Sequence, residues 1–312
     1  MTASSDHSAA HRLRVGFVGL GRMGRPMAKR LLAGAVPVAL FDVRADAVER
    51  VITESGGERA GSLAELAARS DVAITMLPDG HAVRDVVLGA ATSGADRLAE
   101  GLRAGSVLID MSSSSPTGSQ SLGRALAERG VAMLDAPVSG GVARAETGKL
   151  AIMVGGDAAV IERCRPLLAN IGQVFETGAL GSGHAMKALN NLVSAAGLLA
   201  AAEALLIGRR FGLDPDRMIE VFNASSARNN STESKFKQFV FSRSFASGFA
   251  LELMVKDLAT ALELARDTDT PAHFSDACRE LWAAAHRALG SGTDHTEVVR
   301  WLEQLADVTL EN

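Results

Sequence analysis

Between Arg14 and Ala28 the chain reads Arg-Val-Gly-Phe-Val-Gly-Leu-Gly-Arg-Met-Gly-Arg-Pro-Met-Ala, an apolar strand running through Gly19-x-Gly21-x-x-Gly24 into a helix. Past Gly24, a second apolar run, Val38–Phe41, is closed by Asp42. Few folds satisfy this pattern, because each part has a separate job in holding a dinucleotide. Gly19 lets the chain turn sharply out of the strand. Gly21 has no side chain, so backbone can approach a pyrophosphate. Gly24 lets the helix pack close to the sheet. The helix N-terminus offers N–H groups and partial positive charge to phosphates, and Asp42 accepts hydrogen bonds from ribose hydroxyls. A glycine motif alone is weak; strand, glycines, helix and acid in register are a strong signal. The turn residues Leu20, Arg22 and Met23 are expected to line the same cofactor, with Val43 and Arg44 beside Asp42.

The rest of the first half repeats the alternation. Strands are expected at 14–19, 38–41, 72–76, 107–110, 131–136, 150–155 and 173–175. Helices are expected at 23–32, 45–53, 63–68, 81–88, 118–129 and 158–169. Strand–helix alternation argues for a Rossmann-type α/β domain, a parallel sheet with helices on both faces. Ligands then sit outside the carboxyl ends of the strands. Met76-Leu77-Pro78, the serine run Ser112–Ser115 and Pro137-Val-Ser-Gly-Gly141 all fall at such ends. Ser112 or Ser113 is expected to face cofactor or substrate, and Ser115 reads as a helix cap before Pro116. The small residues Ser139, Gly140 and Gly141 can aim backbone N–H groups at an anion, a substrate carboxylate, or form an ordinary turn.

The pattern changes near residue 178. Gly178–Gly183 is a loop, with Ser182 as a candidate cap. His184 to Phe211 holds no proline and much alanine and leucine, one helix of about 28 residues, near 42 Å long. Gly212 is placed to stop it. Everything beyond has helical periodicity. The division expected is a leader at 1–12, a dinucleotide domain at 13–178, an interdomain helix at 179–212 and an all-helical domain at 213–312.

Composition removes other classes. The 312 residues carry a formal net charge of −4, which gives no electrostatic reason to seek nucleic acid or an anionic membrane. No apolar run approaches the roughly 20 residues a membrane span needs, and the polar start has no signal-peptide core. Cys164 and Cys278 are far apart with no metal-ligand spacing, which fits free thiols in a cytoplasmic protein. The histidines have no HExxH-type spacing, so no metal is expected. Tyrosine is absent, so lysine, histidine or carboxylate must handle any proton.

Lys187 and Asn191 are four apart near the start of the long helix and share a face. A desolvated lysine there can take a proton from a hydroxyl, with Asn191 holding the substrate or the ammonium; the bland alternative is a surface lysine. Lys256-Asp257 is either a solvated pair or a feature of the site. His184 reads as a helix-start residue.

Together these motifs resemble the β-hydroxyacid dehydrogenases, the family of 3-hydroxyisobutyrate dehydrogenase and tartronate semialdehyde reductase. The carriers are Gly16–Gly24, Asp110-x-Ser-Ser, Asp135-Ala-Pro-Val-Ser-Gly-Gly141, Gly181-x-Gly183 with Lys187-Ala-Leu-Asn-Asn191, and Lys256-Asp-Leu258, in the family's order. Asp42, which should repel a 2′-phosphate, makes NAD(H) the expected cofactor, and Arg44, which could swing over a phosphate, leaves NADP(H) possible. The resemblance implies Lys187 as catalytic lysine, Asn191 as substrate-positioning residue, Ser139–Gly141 as the carboxylate segment and Lys256 as a residue reaching substrate and cofactor. It also implies a homodimer or homotetramer. An imine or ketone reductase of the same fold and a catalytically silent NAD-binding scaffold are the alternatives. Ser225–Lys237 departs from the pattern of the two named enzymes. Arg228 and Asn229 within it are expected to bind a second polar or anionic end of the substrate, as in a hydroxylated dicarboxylate, or else to be a solvated surface.

Overall fold

Strand residues of the first unit alternate between two cores, as a sheet covered on both faces requires. The computed structural model describes residues 13–89 and 96–311; the expected leader at 1–12 lies outside the described residues. Contacts divide the chain into one unit ending at His184 and a second from Ala185 onward.

In the first unit the order is β1 (Val15–Val18), α1 (Gly24–Ala33), β2 (Val38–Phe41), α2 (Ala45–Ser55), β3 (Glu58–Arg59), α3 (Leu63–Ala68), β4 (Val72–Thr75) and α4 (Gly80–Leu88). It continues with α5 (Leu98–Gly101), β5 (Val107–Asp110), α6 (Pro116–Ala127), β6 (Ala132–Asp135), β7 (Val138–Ser139), α7 (Gly141–Thr147), β8 (Leu150–Gly155), α8 (Ala158–Leu168) and β9 (Gly172–Gly178). Strands run β3-β2-β1-β4-β5-β6 in parallel, so the order reverses direction between β1 and β4. That reversal is where an open α/β sheet binds ligands. Val15, Phe17, Leu40 and Ile74 pack on one face with Met27 and Leu31 of α1. Val18, Ala39, Ala73 and Leu108 pack on the other with Leu66 of α3. Each full burial of such a large side chain stabilises by roughly 1.5–3 kcal/mol.

The sheet is mostly, not wholly, parallel. β8 runs antiparallel to β6 and β7 and parallel to β9. The short elements β3, α5, β7 and α7 are additions to the sequence reading. β3, α5 and β7 span only two to four residues, too few to show a period, and α7 begins directly on the Gly140-Gly141 turn.

The second unit begins within α9 (Ser182–Phe211), followed by α10 (Pro215–Ala224) and a wide π-helix over Ser231–Phe241. It closes with α11 (Leu251–Asp267), α12 (His273–Leu289), a 3₁₀ turn at His295–Glu297 and α13 (Val298–Ala306). Gly212 ends α9 with φ +99°, a conformation that favours glycine. Asp214 then caps α10, accepting from Arg217 N at 2.9 Å. From Ala185 onward α9 packs as part of the helical unit, with Ala195, Leu198, Ala202, Leu205 and Leu206 buried beside Trp282 and Leu258. The expectation that no apolar run reaches membrane length needs correcting. By length and composition α9 qualifies, with a mean hydropathy of 1.7 over its most apolar window. Half of that window is buried inside the protein, as in the core helix of a globular unit.

Candidate active site

The fingerprint turn is built as its glycines demand. Gly19 has φ +96°, and a Cβ there would overlap the Met76 carbonyl oxygen. A Cβ on Gly24 would overlap the Gly19 carbonyl oxygen, so the start of α1 lies directly on the strand end. Gly21 is different: a Cβ there would meet nothing within 4 Å. Its lack of a side chain is not required by the protein's own packing, which leaves the space for a ligand. Asp42 sits at the end of β2 with its side chain 9% exposed. Its Oδ2 accepts from Leu20 N at 2.7 Å and its Oδ1 from Arg44 N at 2.8 Å. The carboxylate thereby ties the second strand to the glycine turn. Val43 is 91% exposed, and Arg44 holds Nε 3.7 Å from Asp42. Gly19, Leu20, Asp42, Arg44, Met76 and Leu77 therefore converge at the switch point, with Arg22 and Met23 on the same turn and Pro78 next to Leu77. An open glycine cradle, a fixed acid at the β2 end and a helix N-terminus fit a dinucleotide.

Behind Met76-Leu77 lies a buried polar network that the sequence reading missed. Asp110 and Asp135 are register partners on β5 and β6, both at strand ends and both buried. Asp110 accepts from Thr75 Oγ1 at 3.0 Å, Ser112 N at 3.0 Å and Ser114 Oγ at 2.7 Å. Asp135 accepts from Gly181 N and His184 N, each at 2.7 Å. Asp135 thus caps α9, the part expected of Ser182, whose hydroxyl instead meets Thr177 Oγ1 at 2.8 Å. His184 is more than a helix-start residue. Its Nε2 donates to the Ser112 carbonyl at 3.1 Å, and its Nδ1 lies 2.8 Å from Ser119 Oγ. Ser112 is buried, and its Oγ accepts from Leu77 N at 2.9 Å, which fastens the β4 end. Ser113 is half-buried beside it. Ser115 caps α6, accepting from Gly118 N at 3.1 Å. The available signal was two aspartates ending consecutive strands; their shared histidine is far off in sequence.

Ser139 lies in β7, and Gly140 and Gly141 follow with φ +134° and +66°. Both glycines are exposed where α7 begins. This turn is a strand-to-helix junction with backbone dihedrals that favour glycine.

In the helical unit, Lys187 and Asn191 stand one turn apart on α9. Asn191 is buried and donates through Nδ2 to Asp257 Oδ2 at 2.6 Å. Asp257 is itself buried on α11 and lies 3.9 Å from Lys256 Nζ. Lys256-Asp257 is therefore not a solvated pair: its aspartate holds the asparagine. Burial pushes the Lys187 ammonium below the ordinary lysine range, Asp257 opposes that shift and Lys256 reinforces it. Arg228 does not turn inward. It is 65% exposed, with Nε 2.6 Å from Glu233 Oε1. Asn229 serves the local turn, its Oδ1 accepting from Ser231 N at 2.8 Å. The cation of this segment that does turn inward is Lys235, with Nζ 3.1 Å from Ser194 Oγ on α9.

The dinucleotide cradle at the switch point of the first unit is the site of a nicotinamide-dependent oxidoreductase. Residues 14–181 match the NAD binding domain of 6-phosphogluconate dehydrogenase, and residues 181–302 match the NAD-binding domain of NADP-dependent 3-hydroxyisobutyrate dehydrogenase. The chain is 37% identical to 2-(hydroxymethyl)glutarate dehydrogenase of Eubacterium barkeri, over 96% of this chain and 97% of that protein. It is 34% identical to the mitochondrial 3-hydroxyisobutyrate dehydrogenase of Rattus norvegicus, over 97% and 91% of the two chains. A solved structure of Mycobacterium tuberculosis 3-hydroxyisobutyrate dehydrogenase with L-serine superposes with a TM-score of 0.82 at 30% identity, covering 93% of this chain and 99% of that one. The chain belongs to the β-hydroxyacid dehydrogenase family and is an NAD(P)-dependent hydroxy acid dehydrogenase.

Proposed function

We propose that the protein reversibly oxidises a small 3-hydroxy acid to its aldehyde or keto acid, with Lys187 as general base and, in reverse, general acid. The observation that carries this reading is Lys187 itself. Burial lowers its pKa, and Asn191, held by Asp257, stands one turn away. A lysine with a lowered pKa has a larger neutral fraction near physiological pH, as a base acting on a hydroxyl needs. The bound nicotinamide supplies the hydride acceptor. The chain's residues do the rest. Gly19, Gly21 and Gly24 admit the pyrophosphate and Asp42 holds the ribose. Ser139, Gly140 and Gly141 hold the substrate carboxylate, Asn191 and Lys256 orient the substrate, and Lys187 takes the hydroxyl proton.

The test is an NAD-linked rate screen of the purified protein. The panel holds 3-hydroxyisobutyrate, L-serine, L-threonate, 2-(hydroxymethyl)glutarate, neutral alcohols and cyclic imines. Turnover of at least one hydroxy acid, with alcohols and imines slower, is expected. Turnover of imines alone would select the imine reductase alternative.

We also propose a homodimer or homotetramer in the cytoplasm. Support for assembly is an apolar row on α9, where Val193, Ile207 and Phe211 are 72%, 70% and 83% exposed. Light scattering that returns a monomer at micromolar concentration removes the assembly reading. Both cysteines are free and buried, which fits a reducing compartment. Cell fractionation checks the location.

A further inference from the structure

The polar face of α9 extends beyond Asn191. Lys187, Asn191 and Ser194 fall at i, i+4 and i+7, one face of the helix spanning about two turns, or roughly 10 Å of axis. At the far end of this row stands Lys235, its Nζ on the Ser194 hydroxyl at 3.1 Å. Lys235 comes from Ser231–Phe241, where i→i+5 hydrogen bonding widens the helix. Such geometry often accompanies functional positions.

Lys235 is half-buried. Among the described residues no carboxylate stands within ion-pair distance of its Nζ, although the other basic side chain brought to α9 by this part of the unit, Lys256, has Asp257 at 3.9 Å. Burial lowers the Lys235 ammonium to about 8, with the more distant Asp294 opposing. At neutral pH it therefore remains mostly charged. The charged and titratable groups near it are Asp294 and His295, neither within ion-pair distance of its Nζ; a half-buried cation whose Nζ touches only a hydroxyl is costly, and an anion arriving on it relieves that cost. Arg228, the residue expected for this task, is already neutralised by Glu233 at the surface.

We propose that Lys235 is a specificity-determining residue that binds a second carboxylate of the substrate, so that the preferred substrate is a hydroxylated dicarboxylate. Ser194 positions the ammonium. This second carboxylate accepts from Nζ while Lys187 handles the hydroxyl proton at the other end of the row. This deepens the hydroxy acid dehydrogenase reading and rests on it.

The test compares 2-(hydroxymethyl)glutarate with 3-hydroxyisobutyrate on wild type, Lys235→Met and Lys235→Arg. Wild type is expected to prefer the dicarboxylate. Lys235→Met keeps most of the aliphatic stem and removes the charge. It should lower kcat/KM for the dicarboxylate about 10-fold or more, mainly through KM, and change the monocarboxylate less than about 2-fold. Lys235→Arg should restore part of the preference. Equal losses on both substrates, or no loss on either, overturn the proposal and leave the dehydrogenase reading standing. Wild type that turns over no hydroxy acid overturns both. If Lys235→Met does not fold, dead-end inhibition of the wild type decides. Glutarate should inhibit at least about 10-fold more strongly than butyrate, and equal inhibition overturns the proposal.

Discussion

The dinucleotide unit and the helical unit hold their functional residues by different means. In the first, the glycine turn is set by backbone. Gly19 and Gly24 are required because carbonyl oxygens occupy the space a side chain would fill, and Gly21 faces open space. Such requirements are local and leave a fixed pattern in sequence. In the second, side chains far apart in the chain do the holding. Asn191 is fixed by Asp257, 66 positions later, and Lys235 by Ser194, 41 positions earlier. No spacing rule encodes those pairs.

The comparison breaks most visibly at Lys187. Lys187→Ala should reduce kcat by a factor of about 10²–10⁴, the usual contribution of a general acid–base, roughly 3–5 kcal/mol of barrier. Affinity for NAD(H), measured by quenching of the two tryptophans or by calorimetry, should be nearly unchanged. A variant that keeps most of its turnover removes Lys187 from the mechanism and, with it, the claim that the helical unit carries the proton chemistry.

Asp257→Asn tests whether the buried carboxylate acts through its neighbours. Loss of its charged hydrogen bond to Asn191 should cost roughly 1.5–3 kcal/mol, seen as a fall of about 10-fold or more in kcat/KM. A structural role alone predicts no change in pH profile. Asp257 favours the charged form of Lys187, so removing it lowers the Lys187 pKa further. Oxidation needs the neutral lysine, so the rising limb of kcat/KM against pH should move to lower pH. In reduction, where the ammonium donates, the falling limb should move the same way. A profile that falls in height without moving shows that Asp257 does not tune Lys187.

Two glycine substitutions sharpen the contrast within the first unit. Gly24→Ala must displace the Gly19 carbonyl, so it should lower stability by about 1–3 kcal/mol and weaken NAD(H) binding. Gly21→Ala meets no protein atom within 4 Å. Its melting temperature should stay within about a degree of wild type while NAD(H) affinity falls, because the methyl enters the pyrophosphate's space. Equal destabilisation by both would mean that the protein's own packing, not a ligand, requires Gly21.

Legibility followed how local each feature is in sequence, not which unit holds it. The main strands of the first unit were evident because β1, β2, β4 and β5 are short apolar runs buried on both faces between turn residues. β7 was not, since two residues after a proline carry no period. The cofactor turn was legible down to Asp42. The Asp110–Asp135–His184 network was not, because it forms only when register places β5 beside β6 and α9 returns to both. The sequence marked Ser225–Lys237 as distinctive and pointed to Arg228. Arg228 and Glu233 pair within the segment, and only the packing of the wide helix against α9 shows that Lys235 is the residue turned inward.

The smallest expected effect concerns cofactor choice, where two side chains of opposite sign compete. Asp42 is held by Leu20 N and Arg44 N, so its charge is fixed where the adenosine ribose is expected. A 2′-phosphate brought there meets a nearly buried carboxylate, and NAD(H) should be preferred over NADP(H) by about 10-fold, or about 1.4 kcal/mol. Arg44 works against this. It is 61% exposed and only 3.7 Å from Asp42, so a phosphate can compete for its guanidinium. Parity, or an NADP(H) preference, would show that Arg44 outweighs Asp42. Asp42→Ala removes both the repulsion and the partner of Arg44, and the kcat/KM ratio should fall toward one or below it. The absolute rates should also fall with both cofactors, because Leu20 N loses its acceptor and the glycine turn loosens. Adding Arg44→Ala to Asp42→Ala isolates the arginine. If the ratio then returns toward NAD(H), Arg44 was reading the phosphate; if it does not move, the discrimination came from Asp42 alone.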